Sequence, residues 1–162
     1  METDPSLADD RLTRAGLLFE AAAGLQATLE RRLAEECGLS GQSFELLLRL
    51  ARSPDQRLRM CDLAEQVVMS PSGITRAIDR LVDAGLVTRE HCPDDRRVAW
   101  AQLTPDGLAR VEAAVPVHLD HLQEHLFASL DAAEQAQLET MLRAVRDRVR
   151  PGAASPGHPP TR

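Results

Sequence analysis

Ile74, Ala77, Ile78, Leu81 and Val82 recur at steps of three and four between a Ser70-Pro71 start and Gly85. No other feature limits the possible folds as tightly. At about 100° per residue the five side chains share one face of a helix, and that face must be buried. Arg76 then points roughly away from the core, with Ser72 and Arg80 beside it. Ser70 suits the cap, and Pro71 suits the first helical position, where its missing N–H costs nothing. Upstream, Asp62 and Glu65 have capping-box spacing, which predicts a short helix from Leu63 to about Val68. The turn "MSP" joins the two. A short helix, a tight turn and a one-sided second helix are the pattern of a helix-turn-helix.

The flanking sequence extends this unit. "LVTREHCPDDRRVAWAQL" predicts two short strands around a turn-rich tip, "PDD". A short extended piece, "RLRM", precedes the first small helix. Toward the N-terminus, Leu18, Ala22, Leu25, Leu29 and Leu33 mark an amphipathic helix over 10–37 that stops at Gly38. Ser40 is placed to cap a second helix carrying Phe44, Leu47, Leu48 and Ala51. After the strands, "TPDG" opens a long helix with the stripe Leu108, Val111, Val115, Leu119, Leu122 and Leu126. Its phase survives Pro116, which predicts a kink and no break. Asp131 with Glu134 is a second box, opening a last helix with Leu138, Met141, Leu142, Val145 and Val149.

The expected fold is mainly α with a small β-hairpin. A winged helix-turn-helix core (39–104) is flanked by helical dimerisation regions (10–38 and 105–150), with a flexible leader (1–9) and a disordered tail (151–162). With three Phe, one Trp and no Tyr, the core must be Leu, Val and Ala, which suits packed helices. The first helix and the last two carry apolar stripes that one small domain cannot cover. Pairing with a second copy would bury them, and packing within the chain is the alternative.

Charge bears on the partner. The net charge is −6, which speaks against nucleic acid until its distribution is considered. Nine Arg face eight Asp and Glu between Arg49 and Arg97, near +1, so the remainder is near −7. All 19 cationic residues are Arg. The Arg fork can grip guanine O6 and N7 or clamp a phosphate, and a helix of this kind fills the major groove. Ser70 and Ser72 lie where helix N–H groups attract a phosphate. In "PDDRR", Asp94 and Asp95 precede Arg96 and Arg97. A carboxylate can hold one guanidinium while the other enters the minor groove. The competing reading is a solvated face with Arg76 paired to Asp79 and Arg80 to Asp83, in a winged-helix interaction module that never touches DNA.

At these residues the sequence resembles the MarR (multiple antibiotic resistance regulator) family. "DLAEQVVMSPSGITRAIDRLVDAGLVTRE", "PDDRRVAWAQLTPDG" and "GLSGQSFELLLRLA" carry the likeness, which runs from about Leu17 to Val149. The resemblance implies a homodimeric transcription factor, usually a repressor, on a pseudo-palindromic operator of double-stranded DNA. It places Ser70, Ser72, Thr75, Arg76 and Arg80 in or beside the recognition helix. Arg96 becomes the wing-tip residue, braced by Asp94, with Arg97 on the backbone. Gly73 stands where a larger residue is commoner in the family. A small-molecule effector would occupy a cleft between the winged core and the dimer helices.

Other candidates say less. His118, His121 and His125 share a helix face, and His121 with His125 could hold a metal. No further ligand set stands out, so solvated histidines are expected, with no metal and no cofactor. Cys37, Cys61 and Cys92 form no CxxC pair and read as buried or incidental thiols. Zinc- and thiol-responsive regulators stay open as alternatives. Trp100 reads as a packing residue on its strand. No Lys, phosphate-binding Gly loop, HExxH or nucleophile elbow is present, so an enzyme is not expected. No apolar run spans a membrane and the N-terminus is acidic, so a cytoplasmic protein is expected.

Overall fold

The computed structural model describes residues 7–91 and 98–150. Helix α1 spans Asp10–Cys37. Asp9 caps it, its carboxylate accepting from the Arg11 N–H at 2.8 Å. Gly38, at φ 60, turns the chain out of the helix. Helix α2 spans Gly41–Ala51 and is capped by Ser40, as the sequence indicates. A 3₁₀ turn, Pro54–Gln56, leads into β1, Arg57–Arg59. Helix α3 (Met60–Gln66) starts earlier than the Asp62/Glu65 spacing predicts. Arg59 is the cap residue and makes no side-chain cap bond, so Asp62 acts only as an acidic first-turn residue. In the turn to α4, exposed Val68 is held at φ 56, an uncommon conformation for a β-branched residue.

Helix α4 spans Pro71–Asp83, with the Ser70 hydroxyl accepting from the Gly73 N–H at 3.1 Å. Gly85, at φ 73, ends its turn. Strands β2 (Val87–His91) and β3 (Ala99–Leu103) pair antiparallel, Val87 opposite Leu103 and His91 opposite Ala99. Strand β1 adds to the outer side of β3, Arg59 opposite Trp100, making the order β1-β3-β2. The small sheet therefore has three strands.

Helix α5 (Pro105–Leu122) runs unbroken through Pro116. Its N-terminus is locked to the end of the α4 unit. The Thr104 hydroxyl donates to the Gly85 carbonyl at 2.8 Å and accepts from the Gly107 N–H at 3.0 Å. A Cβ on Gly107 would lie 2.0 Å from the Leu86 carbonyl oxygen, so only glycine fits. A π-helical turn, Gln123–Phe127, follows, and then α6, Ala132–Val149, with the Asp131–Glu134 capping box formed.

One core joins these elements. Leu33 of α1, Leu46, Leu47 and Leu50 of α2, Leu63, Ile74, Ile78 and Leu81 of α3 and α4, Val87 and Ala101 of the sheet, and Val111 of α5 are all buried. It is aliphatic, with Phe44 as its one aromatic. By contrast α6 buries nothing, and Leu12, Leu17, Leu18 and Phe19 of α1 are exposed. Among the described residues no helix is long and apolar enough to cross a membrane.

Candidate nucleic-acid interface

Burial of Ile74, Ala77, Ile78 and Leu81 fixes which way α4 faces. Ser70, Ser72, Arg76 and Arg80 are thereby left exposed on the outer side, and Thr75 is half-buried. The Ser70 and Ser72 hydroxyls lie 3.3 Å apart beside the helix N-terminus. The Thr75 hydroxyl is turned back on its own helix, donating to the Pro71 carbonyl at 2.9 Å. It is the least available of the five expected contact residues.

The competing charge-paired arrangement does not form. Asp79 accepts from Arg89 of β2 at 3.1 Å, not from Arg76. Arg80 turns to α2, donating to the Gln42 amide oxygen at 2.7 Å, not to Asp83. Arg76 makes no ion pair or side-chain hydrogen bond among the described residues, and Asp94, Arg96 and Arg97 lie outside them. The structure thus brings Ser70, Ser72, Arg76 and Arg80 onto one open helix face. Gln42 has no signal in the sequence, because its partner is 38 residues away.

Strand β1 adds two more cations. The Arg57 and Arg59 guanidinium groups stand 4.8 Å and 5.3 Å from the Trp100 ring centre. Trp100 therefore serves as a platform for cations on the outer face of the sheet.

Exposed Cys61 donates its S–H to the Asp62 carboxylate at 3.3 Å. Partial burial, then this bond and the Asp62 charge, push its pKa up, the reverse of a reactive thiolate. Cys61 should therefore alkylate more slowly than free cysteine near pH 7.5, and Asp62→Asn should speed it. Mass spectrometry over an iodoacetamide time course checks this, and equal rates in the two proteins would refute it.

A short helix, a turn, a helix with an open Arg face and a strand pair behind it define a winged helix-turn-helix protein. Comparison with known proteins supplies the family. The MarR family profile matches residues 39–99. The repressor YetL of Bacillus subtilis is 31% identical over 105 residues, 65% of this chain and 62% of that protein. Sco3205 of Streptomyces coelicolor, a MarR family transcriptional regulator solved in complex with DNA, is 30% identical. It covers 97% of this chain, with 99% of its own length matched and a TM-score of 0.84. BpsR of Bordetella bronchiseptica, whose DNA binding is regulated by 6-hydroxynicotinic acid, is 27% identical. It covers 83% of this chain and 99% of its own, with a TM-score of 0.73. The chain belongs to the MarR family of transcriptional regulators.

Proposed function

We propose that this chain is a cytoplasmic, homodimeric repressor, without catalytic activity, that binds a pseudo-palindromic operator in double-stranded DNA. The observation that carries this reading is the Arg76 guanidinium, exposed on α4 opposite its buried stripe and paired with no carboxylate among the described residues. Arg80, Ser70 and Ser72 complete the face; by the family likeness Arg96, braced by Asp94, is the second contact, with Arg97 on the DNA backbone. Residues 39–104 form the DNA-binding unit and the flanking helices the dimer. Selection of bound sites from random duplexes, followed by gel shifts, tests the reading. A protein that enriches no sequence, and binds DNA no better than an Arg76→Ala/Arg96→Ala variant, would leave only an interaction module.

A small-molecule effector is supported by a cleft of about 640 Å³ between α1, α2 and α5. Leu25, Leu29, Phe44 and Met69 give it apolar walls, and Gln42 and His118 add polar atoms. Gln42 is shared with the DNA face through Arg80, so a bound molecule would touch the residue that holds a contact side chain. In the family picture, occupancy alters the spacing of two recognition helices that must match one DNA turn.

The His118 ring sits 4.6 Å from Phe44, with its Nδ1 buried and unpartnered. Burial lowers its pKa from 6.5. The Glu45 carboxylate opposes that shift, and His121, one turn along α5, adds to it. Glu30 of α1 lines the same cleft. A lowered folded pKa means that the unfolded chain binds the proton first. Stability is therefore complete above pH 6.5 and falls as the pH drops toward the folded value. The urea midpoint should be higher at pH 7.5 than at pH 5.5, and His118→Leu should shrink that difference. An unchanged difference would assign the effect to other groups.

A further inference from the structure

At the junction of α5 with the π-helical turn, one donor atom from each of His121, Glu124 and His125 lies within 4.8 Å of the others. The sequence spacing supplies two of these ligands and leaves the set short. Glu124 completes the set, and the fold brings Glu36 of α1 against His121, 85 residues away, with its carboxylate 2.8 Å from Nε2. A carboxylate at this contact can only accept, so Nε2 of the neutral ring carries the hydrogen and donates it. The lone pair is then on Nδ1. That atom is buried and has no hydrogen-bond partner. It points to where the Glu124 carboxylate lies 3.7 Å away, and the same Glu124 oxygen is 3.7 Å from Nε2 of His125.

We propose that His121 Nδ1, Glu124 and His125 Nε2 form a binding site for a divalent transition-metal cation of the zinc class, with Glu36 orienting His121 from behind. Four ligands around zinc at about 2.0–2.1 Å lie roughly 3.3–3.4 Å apart in a tetrahedron. The two 3.7 Å spacings to Glu124 are near that value, and closing the set requires side-chain rotation that also draws together the two imidazole nitrogens, which lie within 4.8 Å of each other. Two imidazoles and one carboxylate favour zinc over magnesium or calcium, which take oxygen sets. Three protein ligands leave a fourth position for water. Glu124 and His125 are exposed, so the cation has a path in. The carboxylate–histidine–metal relay fixes the ring tautomer and its orientation.

Of the two buried, unpartnered imidazole nitrogens among the described residues, those of His118 and His121, only the latter lies beside two further ligand atoms. A solvated histidine would place that atom in water. All three ligands lie on α5 and the turn that follows it, and the Glu36–His121 bond ties that segment to α1. The proposal is independent of the DNA-binding reading.

Zinc titrated calorimetrically into chelator-treated, full-length protein should bind once per chain, and binding should raise the thermal midpoint. His125→Ala, an exposed change that leaves the core intact, should abolish both effects, as should His121→Ala. Glu36→Gln should weaken binding about 10- to 100-fold while preserving the one-to-one stoichiometry. A Cys37→Ser/Cys61→Ser/Cys92→Ser variant should bind as the parent does. Undiminished affinity in His125→Ala would overturn the proposal. So would a stoichiometry that disappears with the thiols.

Discussion

A Met141→Glu/Val145→Glu variant should be monomeric and should bind a selected operator about 10²–10⁴-fold more weakly than the parent. The reasoning begins with the solvent exposure of α6. Met141, Leu142, Val145 and Val149 are 58%, 46%, 50% and 68% exposed, and no residue of the helix is buried. Leu17 and Phe19 of α1 add 61% and 70%. Apolar patches of this extent are uncommon on a monomer and mark contact surfaces. The stripe keeps helical spacing over the whole of α6, so sequence and structure agree on which face needs a cover. Two carboxylates one turn apart on that face would require burying charge without a partner.

The proposed dimer holds two copies of α4, and the second half-site contact is then nearly intramolecular. Losing the link removes that advantage without touching a DNA contact. The substituted positions are exposed in the protomer, so the winged unit keeps its core. Light scattering after gel filtration and anisotropy with labelled operator give the two readouts. A monomeric parent would refute the dimer, and a dimeric variant with full affinity would remove the α6 face as its seam.

Arg76→Ala should weaken operator binding by roughly 1–3 kcal/mol, about 5- to 150-fold. Arg76 is the stronger test because its guanidinium has no ion pair or side-chain hydrogen bond among the described residues, whereas Arg80 must first leave Gln42. Two outcomes separate its roles. If Arg76 grips a guanine edge, the variant should lose discrimination at one base pair of the site. If it clamps a phosphate, the loss should be uniform across sequences, with the salt slope falling by about 1. Arg76→Lys distinguishes the fork from the charge, since an ammonium keeps the phosphate attraction and loses bidentate geometry. Full affinity in Arg76→Ala for every selected duplex would remove α4 as the reading helix.

What the sequence made legible was local. Ser40 and Ser70 act as caps and Asp131 with Glu134 forms its box, because each needs only a hydroxyl or carboxylate a few residues from a free N–H. The stripe of α4 predicted its orientation, and with it the exposure of Arg76. The start of α3 was missed for the same kind of reason. Asp62 and Glu65 have the right spacing, but the pairing of β1 with β3 sets the chain into helix at Met60 first. Long-range partners left no mark in the pattern. Gln42 beside Arg80, Glu36 beside His121, and the Leu86 carbonyl against Gly107 are all contacts across the fold.

The stacking of Arg57 and Arg59 on Trp100 has a practical consequence. With one Trp and no Tyr in the chain, all emission excited near 295 nm arises at that single ring. Its fluorescence is an intrinsic gauge of whether β1 is still zipped to β3, and it is insensitive to chemistry at α6. Melting of the winged unit can thus be followed optically while association of the protomers is tracked by mass, with no label added to either.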